Sequence, residues 1–214
     1  MAMNVEQMTV GTMGVCCYLV ACDETGEGCV IDPGGDEPEI LAAIEKHKIR
    51  VKYIVNTHGH PDHVCGNGPI KAATGAAIVM HEADALFFER PEVRGYFAQL
   101  GLPASPPVDL RVKDNDRLAF GKQTLLVIHT PGHTPGGICL YNAPHLFTGD
   151  TLFAGAVGRS DFPGGDSHQL LDAIKSRLLA LPPETIVWPG HGYGGDRSTL
   201  AAEARENPFL TGRW

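Results

Sequence analysis

Thr57-His58-Gly59-His60-Pro61-Asp62-His63 places three imidazoles and one carboxylate within seven consecutive residues. The run VKYIVN before it (51–56) reads as a strand. In extended backbone, residues two apart project to one side, so His58 and His60 point together. Pro61 enforces a turn, beyond which Asp62 and His63 aim at a neighbouring point. Imidazole and carboxylate donors suit zinc and other first-row metals. One cluster does not surround an ion, and three further motifs supply donors of the same kind. His133 lies in PGHTPGG (131–137), Asp150 in FTGD (147–150) and His191 in PGHG (189–192). Each ends a strand-like run in a glycine-rich turn, where the backbone can bend a ligand inward.

The same punctuation organises the whole chain. Residues 5–10, 15–22, 27–32, 51–56 and 76–80 read as strands in the first half. The spacing predicts helices over 37–48, 67–74 and 81–88, and 89–109 is a proline-containing excursion, a lid or a surface loop. In the second half, 117–120 and 123–130 form a predicted hairpin across Gly121-Lys122, followed by strands at 137–142 and 145–150. A helix over 168–181 carries Leu170, Leu171, Ile174, Leu178 and Leu181 on one side. A strand at 185–188 and a short helix at 198–206 close the series. Strand runs mixed with helices in both halves predict an α/β (α+β) layered fold, two facing sheets with helices outside.

The 214 residues are 43% hydrophobic and 20% charged, enough to bury a real core. A formal charge of −8 argues against a nucleic-acid partner, which needs clustered cations. The apolar run 15–22 is too short to span a bilayer, so no membrane partner is expected. MAMNVEQMTVG at the start has neither the basic nor the apolar region of a secretory signal, so the cytoplasm is the expected location. The six cysteines form no CxxC pair and no disulfide framework. Those in strand-like runs are expected to be small buried hydrophobes, while Cys65, two residues after the histidine cluster, is the one to watch. His47, His81, His129, His145 and His168 belong to no ligand pattern, although His129 lies near enough to His133 to support it.

THGHPDH, PGHTPGG, FTGD and PGHG, in this order, resemble the metallo-β-lactamase superfamily, and within it the small glyoxalase II-like (hydroxyacylglutathione hydrolase-like) hydrolases. The resemblance runs from the first strands to Asn207-Pro208-Phe209-Leu210. It implies a four-layer αββα sandwich, with two divalent metal ions at one edge between the sheets. These would be zinc, with iron or manganese as alternatives. His58, His60 and His133 would hold the first ion, Asp62, His63 and His191 the second, and Asp150 would bridge them. Two metals about 3.5–4 Å apart share a water and lower its pKa toward about 7, giving a hydroxide that attacks a carbonyl. Asp62 would also orient that nucleophile. A thiolate leaves readily, so the implied substrate is a small-molecule thioester such as S-lactoylglutathione. Arg159, in the loop GRSDFPGG (158–165), stands where relatives place a cation for a glutathione carboxylate; its alternative is a surface pair with Asp161. Tyr193 would donate to substrate or cover the metal edge. The resemblance also implies a single domain over 1–214, without the separate C-terminal glutathione-binding domain of full-length glyoxalase II. It leaves the oligomeric state open. Persulfide dioxygenases, with one iron on residues matching His58, His133 and Asp150, are the competing reading, with lactonases behind. The common β-lactamases place Cys where Asp150 stands, and flavodiiron proteins place Glu where Gly59 stands.

Overall fold

Strand β2 (Val15–Cys22) is buried over its whole length, as only a strand covered on both faces can be. Its alternation sorts the residues. Cys16, Tyr18, Val20 and Cys22 enter one apolar cluster, Val15, Cys17 and Leu19 another. The computed structural model describes residues 3–212, so the outermost two residues at each end of the expected single domain lie outside it. β2 lies in a six-stranded sheet, in spatial order β1 (Met3–Val10), β2, β3 (Glu27–Ile31), β4 (Arg50–Val55), β5 (Ala77–His81) and β6 (Leu110–Val112). The first two pairings are antiparallel and the last three parallel. Helices α1 (Glu37–Lys46), α2 (Pro61–Val64), α3 (Asn67–Thr74), α4 (Glu82–Phe87) and α5 (Pro91–Ala98) lie among these strands in the chain.

The second half builds another six-stranded sheet. It contains β7 (Arg117–Phe120), β8 (Gln123–His129), β9 (Ile138–Asn142), β10 (His145–Gly149), β13 (Ile186–Pro189) and β14 (Ser198–Thr199). A small hairpin of β11 (Leu152–Phe153) and β12 (Ala156–Val157) stands apart. Helices α6 (Ser167–Ala173), α7 (Leu200–Glu206) and α8 (Pro208–Thr211) complete the fold. The inner faces of both sheets share one core, in which Tyr18 meets Phe147 edge-on at 5.1 Å and Trp188 at 5.9 Å. The outer face of the first sheet packs on Ile40, Ala43 and Ile44 of α1 and Ile70 of α3. The outer face of the second packs on Leu170, Ile174, Leu178 and Leu200. The result is the expected αββα sandwich.

At one edge the sheets are joined by hydrogen bonds as well as packing. Cys16 N donates to Gly190 O at 2.8 Å and Ile138 N to Thr57 O at 2.9 Å. The Tyr18 hydroxyl reaches Pro189 O at 2.5 Å.

The elements depart from the expected ones in several places. The excursion 89–109 contains α5, which Pro91 opens at the first helical position, where its missing N–H costs nothing. It then leads into β6, too short to show a pattern in sequence. The helix expected over 168–181 is α-helical only to Ala173 and continues as a π-helical turn, Ile174–Leu178. Ser198 and Thr199, expected to be helical, pair with β13. All six cysteines are free and buried. Burial pushes the Cys65 thiol up to about 11, which makes it a packing group and not a nucleophile at neutral pH. Among the described residues, no helix is long and apolar enough to cross a membrane.

Candidate metal centre

Four chain segments deliver donors to the hydrogen-bonded edge. β4 ends at Val55, and Asn56 N donates to Val79 O, which carries the extended backbone on toward His58. His60 remains extended, with φ −63° and ψ 141°, and Pro61 starts the single turn α2 that carries Asp62 and His63. His133 sits between β8 and β9, Asp150 follows β10, and His191 follows β13. The six ligand candidates other than Asp150 are all at most 8% exposed.

The seven side chains named in the sequence converge. His58, His60 and His133 place one donor atom each within 4.8 Å of one another, and so do Asp62, His63 and His191. His60 Nδ1 and His133 Nε2 are 2.9 Å apart, and His63 Nε2 and His191 Nε2 are 3.3 Å apart. Asp150 stands between the groups: Oδ2 is 3.5 Å from His133 Nε2 and 3.6 Å from His191 Nε2, while Oδ1 is 3.5 Å from His63 Nε2. Asp62 Oδ2 lies 3.6 Å from His191 Nε2 and 3.7 Å from His63 Nε2. His58 Nε2 and Asp150 Oδ1 are buried without hydrogen-bond partners, a costly arrangement for polar atoms unless a cation engages them. Two imidazole-rich groups sharing a carboxylate thus fit two first-row divalent ions.

Groups behind the ligands set which ring nitrogen faces inward. Asp32 Oδ2 accepts from His63 Nδ1 at 3.0 Å and from the Thr57 hydroxyl at 2.6 Å, while Oδ1 accepts from Thr57 N at 2.7 Å. Thr57 Oγ1 lies 3.1 Å from His58 Nδ1, so His58 and His63 are both held with Nε2 toward the centre. His133 Nδ1 donates to Arg159 O at 2.6 Å and presents Nε2. His60 is turned the other way, its Nε2 buried and its ring packed on those of Phe88, Phe97 and Phe162. Asp84, wholly buried, accepts from Gly59 N at 2.9 Å, Thr134 Oγ1 at 2.8 Å and Gly136 N at 2.5 Å.

The electrostatics favour cations. Burial, then neighbouring imidazoles, push His58 and His60 well below the usual histidine range, and burial lowers His133. The neutral ring is the form that binds metal. At Asp62 burial acts upward, but His63, His191 and His60 outweigh it and hold the carboxyl below its usual range. At His63 burial acts downward, yet Asp150, Asp62 and Asp32 raise the ring to about 10. These carboxylates demand positive charge at this point, the demand a divalent ion meets.

Glycine makes the convergence possible at two turns. Gly149 has φ +47°, a left-handed conformation that puts Asp150 inward from the end of β10. A Cβ on Gly190 would overlap Asp150 Oδ1 and come within 2.8 Å of the Gly149 carbonyl carbon.

Arg159 forms two 2.6 Å hydrogen bonds to Asp161 and lies 3.9 Å over the Phe162 ring. Tyr193 stacks on His191 at 4.9 Å with an 11° interplanar angle and is 71% exposed. Both line a cavity of about 170 Å³ that opens onto His60, Asp62, His133, Asp150 and His191. His129, which belongs to no ligand pattern though near His133 in sequence, stacks on His81 at 4.1 Å, and its Nε2 meets Pro135 O at 3.0 Å. It steadies the loop, and the ligand's partner is the Arg159 carbonyl. Sequence reasoning did not pick out Asp32, Thr57 or Asp84. Asp32 did carry a signal, because DPGG has the strand-end, glycine-rich form of the ligand turns.

Comparison with known proteins bears on this geometry. The family model described as the metallo-beta-lactamase superfamily matches residues 10–191. The hydroxyacylglutathione hydrolase GloC of Haemophilus influenzae is 34% identical over 215 residues, covering 99% of this chain and all of that one. Among solved structures, the BLEG-1 B3 metallo-beta-lactamase superposes with a TM-score of 0.88 at 31% identity, covering 97% of this chain and 100% of that one. ETHE1 from Myxococcus xanthus superposes with a TM-score of 0.84 at 27% identity, covering 99% and 86%.

Proposed function

Because the chain belongs to the metallo-beta-lactamase superfamily, we propose that this hydrolase cleaves small-molecule thioesters of the S-lactoylglutathione kind with two divalent ions, zinc before iron or manganese. The observation that carries the reading is the pair of three-donor groups with Asp150 between them. The likeness to a hydroxyacylglutathione hydrolase over nearly the full length of both chains supports the thioester. His58, His60 and His133 would hold one ion, Asp62, His63 and His191 the other, and Asp150 both. Bound there, the ions supply Lewis acidity and a water that ionises near neutral pH.

The chain's own residues do the rest. Asp32, Thr57 and the Arg159 carbonyl hold ligand rings in place, so little reorganises during reaction. Asp62 is part of the cavity lining and accepts a hydrogen bond from the attacking water, turning its lone pair toward the substrate carbonyl. Arg159 and Tyr193, on the lining of the same cavity, contact the substrate beyond the scissile bond. A thiolate departs without protonation, so the reaction needs no general acid in the cavity.

The test is thiol release from S-D-lactoylglutathione by metal-loaded protein. Release that a chelator stops and added metal restores is expected. A loaded sample that releases no thiol overturns the reading, and oxygen uptake with glutathione persulfide would then identify an iron dioxygenase instead.

A further inference from the structure

One wall of the cavity, formed by the end of α5, is apolar. Tyr96, Phe97 and Leu100, from the end of α5 and just beyond it, line it together with Phe162 from the Arg159 loop and Met13 from the β1–β2 turn. The rings form a connected set: Phe97 meets Phe162 at 5.9 Å and Tyr96 at 5.0 Å, and Tyr96 meets Phe162 at 6.4 Å. Phe97 is buried with Phe87 and Val93 and is accounted for by the packing of α5. Tyr96, Leu100 and Met13 are not, being 42%, 44% and 46% exposed and grouped around one opening. Large apolar side chains left in water around one concavity mark a place where apolar surface docks.

Charge points the same way. Among the described residues, one Lys or Arg lines the cavity, Arg159, and its guanidinium is closed on Asp161 through two 2.6 Å hydrogen bonds. The same guanidinium packs on Phe162 and stiffens the aromatic wall. The cavity as a whole, its His and Asp side included, measures about 170 Å³.

We propose that this wall is a subsite for an aromatic, or equally broad apolar, group of the substrate. The inference rests on the thioesterase reading and narrows it. The group can belong to the acyl part or to the thiol, and two substrate pairs separate these sources. S-mandeloylglutathione against S-lactoylglutathione exchanges phenyl for methyl on the acyl side. The lactate thioesters of benzyl mercaptan and ethanethiol make the corresponding exchange on the thiol side.

With the metal-loaded full chain, one pair is expected to favour the aromatic member at least roughly tenfold in kcat/KM, the scale of burying one ring. The double variant Tyr96→Ala/Leu100→Ala, which alters exposed positions and so leaves folding intact, should bring that ratio near one. Leu86→Ala, exposed but outside the cavity lining, should leave it unchanged. Cleavage of all four thioesters without aromatic preference overturns the subsite and leaves the hydrolase. A preference that survives in the double variant overturns its assignment to this wall. If no thioester is cleaved, the function itself fails. Calorimetry then decides the subsite alone: S-benzylglutathione should bind at least tenfold tighter than S-methylglutathione, and equal binding overturns it.

Discussion

Asp84 contacts none of the ligand side chains directly, yet it fixes where three of them stand. Its Oδ2 accepts from Gly59 N, between His58 and His60, and from Thr134 Oγ1, next to His133, and its Oδ1 accepts from Gly136 N. One carboxylate thus ties the loop after β4 to the loop after β8. Asp84→Asn turns one acceptor into a donor facing N–H or O–H groups. Loss of a partner that orients ligands costs about 10–100-fold in metal affinity, and competition with a chromophoric chelator should show a loss on that scale. Affinity equal to wild type would end this role for Asp84. Its protonation adds a second readout. Burial raises the carboxyl from 3.8 to about 6, against the three donors. The folded protein therefore holds the proton more tightly than the unfolded chain, and stability from this group falls as pH rises from about 4 to about 6. The stability gap between wild type and Asp84→Asn should narrow over that window in denaturant melts. The candidate ligands stood out in sequence because most follow a strand-like run beside a glycine. Asp84 sits inside α4 with no such spacing, and only the folded chain brings it to Gly59 and Gly136.

Strand ends, not strands, carry the site, and the element that closes it is the end of β13. There Gly190 N donates to Gly149 O and Gly190 O accepts from Cys16 N, both at 2.8 Å, so one residue joins β10, β13 and β2. A methyl group at 190 meets Asp150 Oδ1 and the Gly149 backbone, and overpacking of this kind costs about 1–3 kcal/mol. In Gly190→Ala, Asp150 should be displaced from between the two ligand groups. Elemental analysis is expected to find fewer metal ions per chain than in wild type, with an unchanged far-UV spectrum. Full metal content in the variant would refute the argument that Gly190 is needed to seat Asp150. The elements themselves were readable where a period is long enough to register, as in β2, α1 and β8. Three-residue β6 and α5, which begins at a proline within a proline-containing excursion, fall below that threshold. Packing against β5 and against Phe87 defines them, and neither is a local property of the sequence.

At the scale of the whole molecule, the centre is a cross-link between halves of the chain. His58, His60, Asp62 and His63 follow a strand of the first sheet, while His133, Asp150 and His191 follow strands of the second. Each three-donor group draws on both: His133 completes the first, and His191 the second. Bound ions must therefore raise the stability of the assembled sandwich by linkage, since the unfolded chain does not hold the two sets together. The sheets do not depend on that cross-link to meet. Tyr18, Phe147 and Trp188 join them through an apolar core, and Cys16 N and Ile138 N add hydrogen bonds at the edge. Chelation should thus leave a folded but weakened protein. An ion at a hundred times its dissociation constant contributes about 2.7 kcal/mol, and in a chain of this length each kcal/mol moves Tm by roughly 2–4 °C. Scanning calorimetry should find one cooperative transition with and without chelator, lower by roughly 10–20 °C in its presence when both ions are removed. An unshifted transition would mean that the ions do not cross-link the sheets. Loss of the transition on chelation would mean that the apolar core does not hold them together alone.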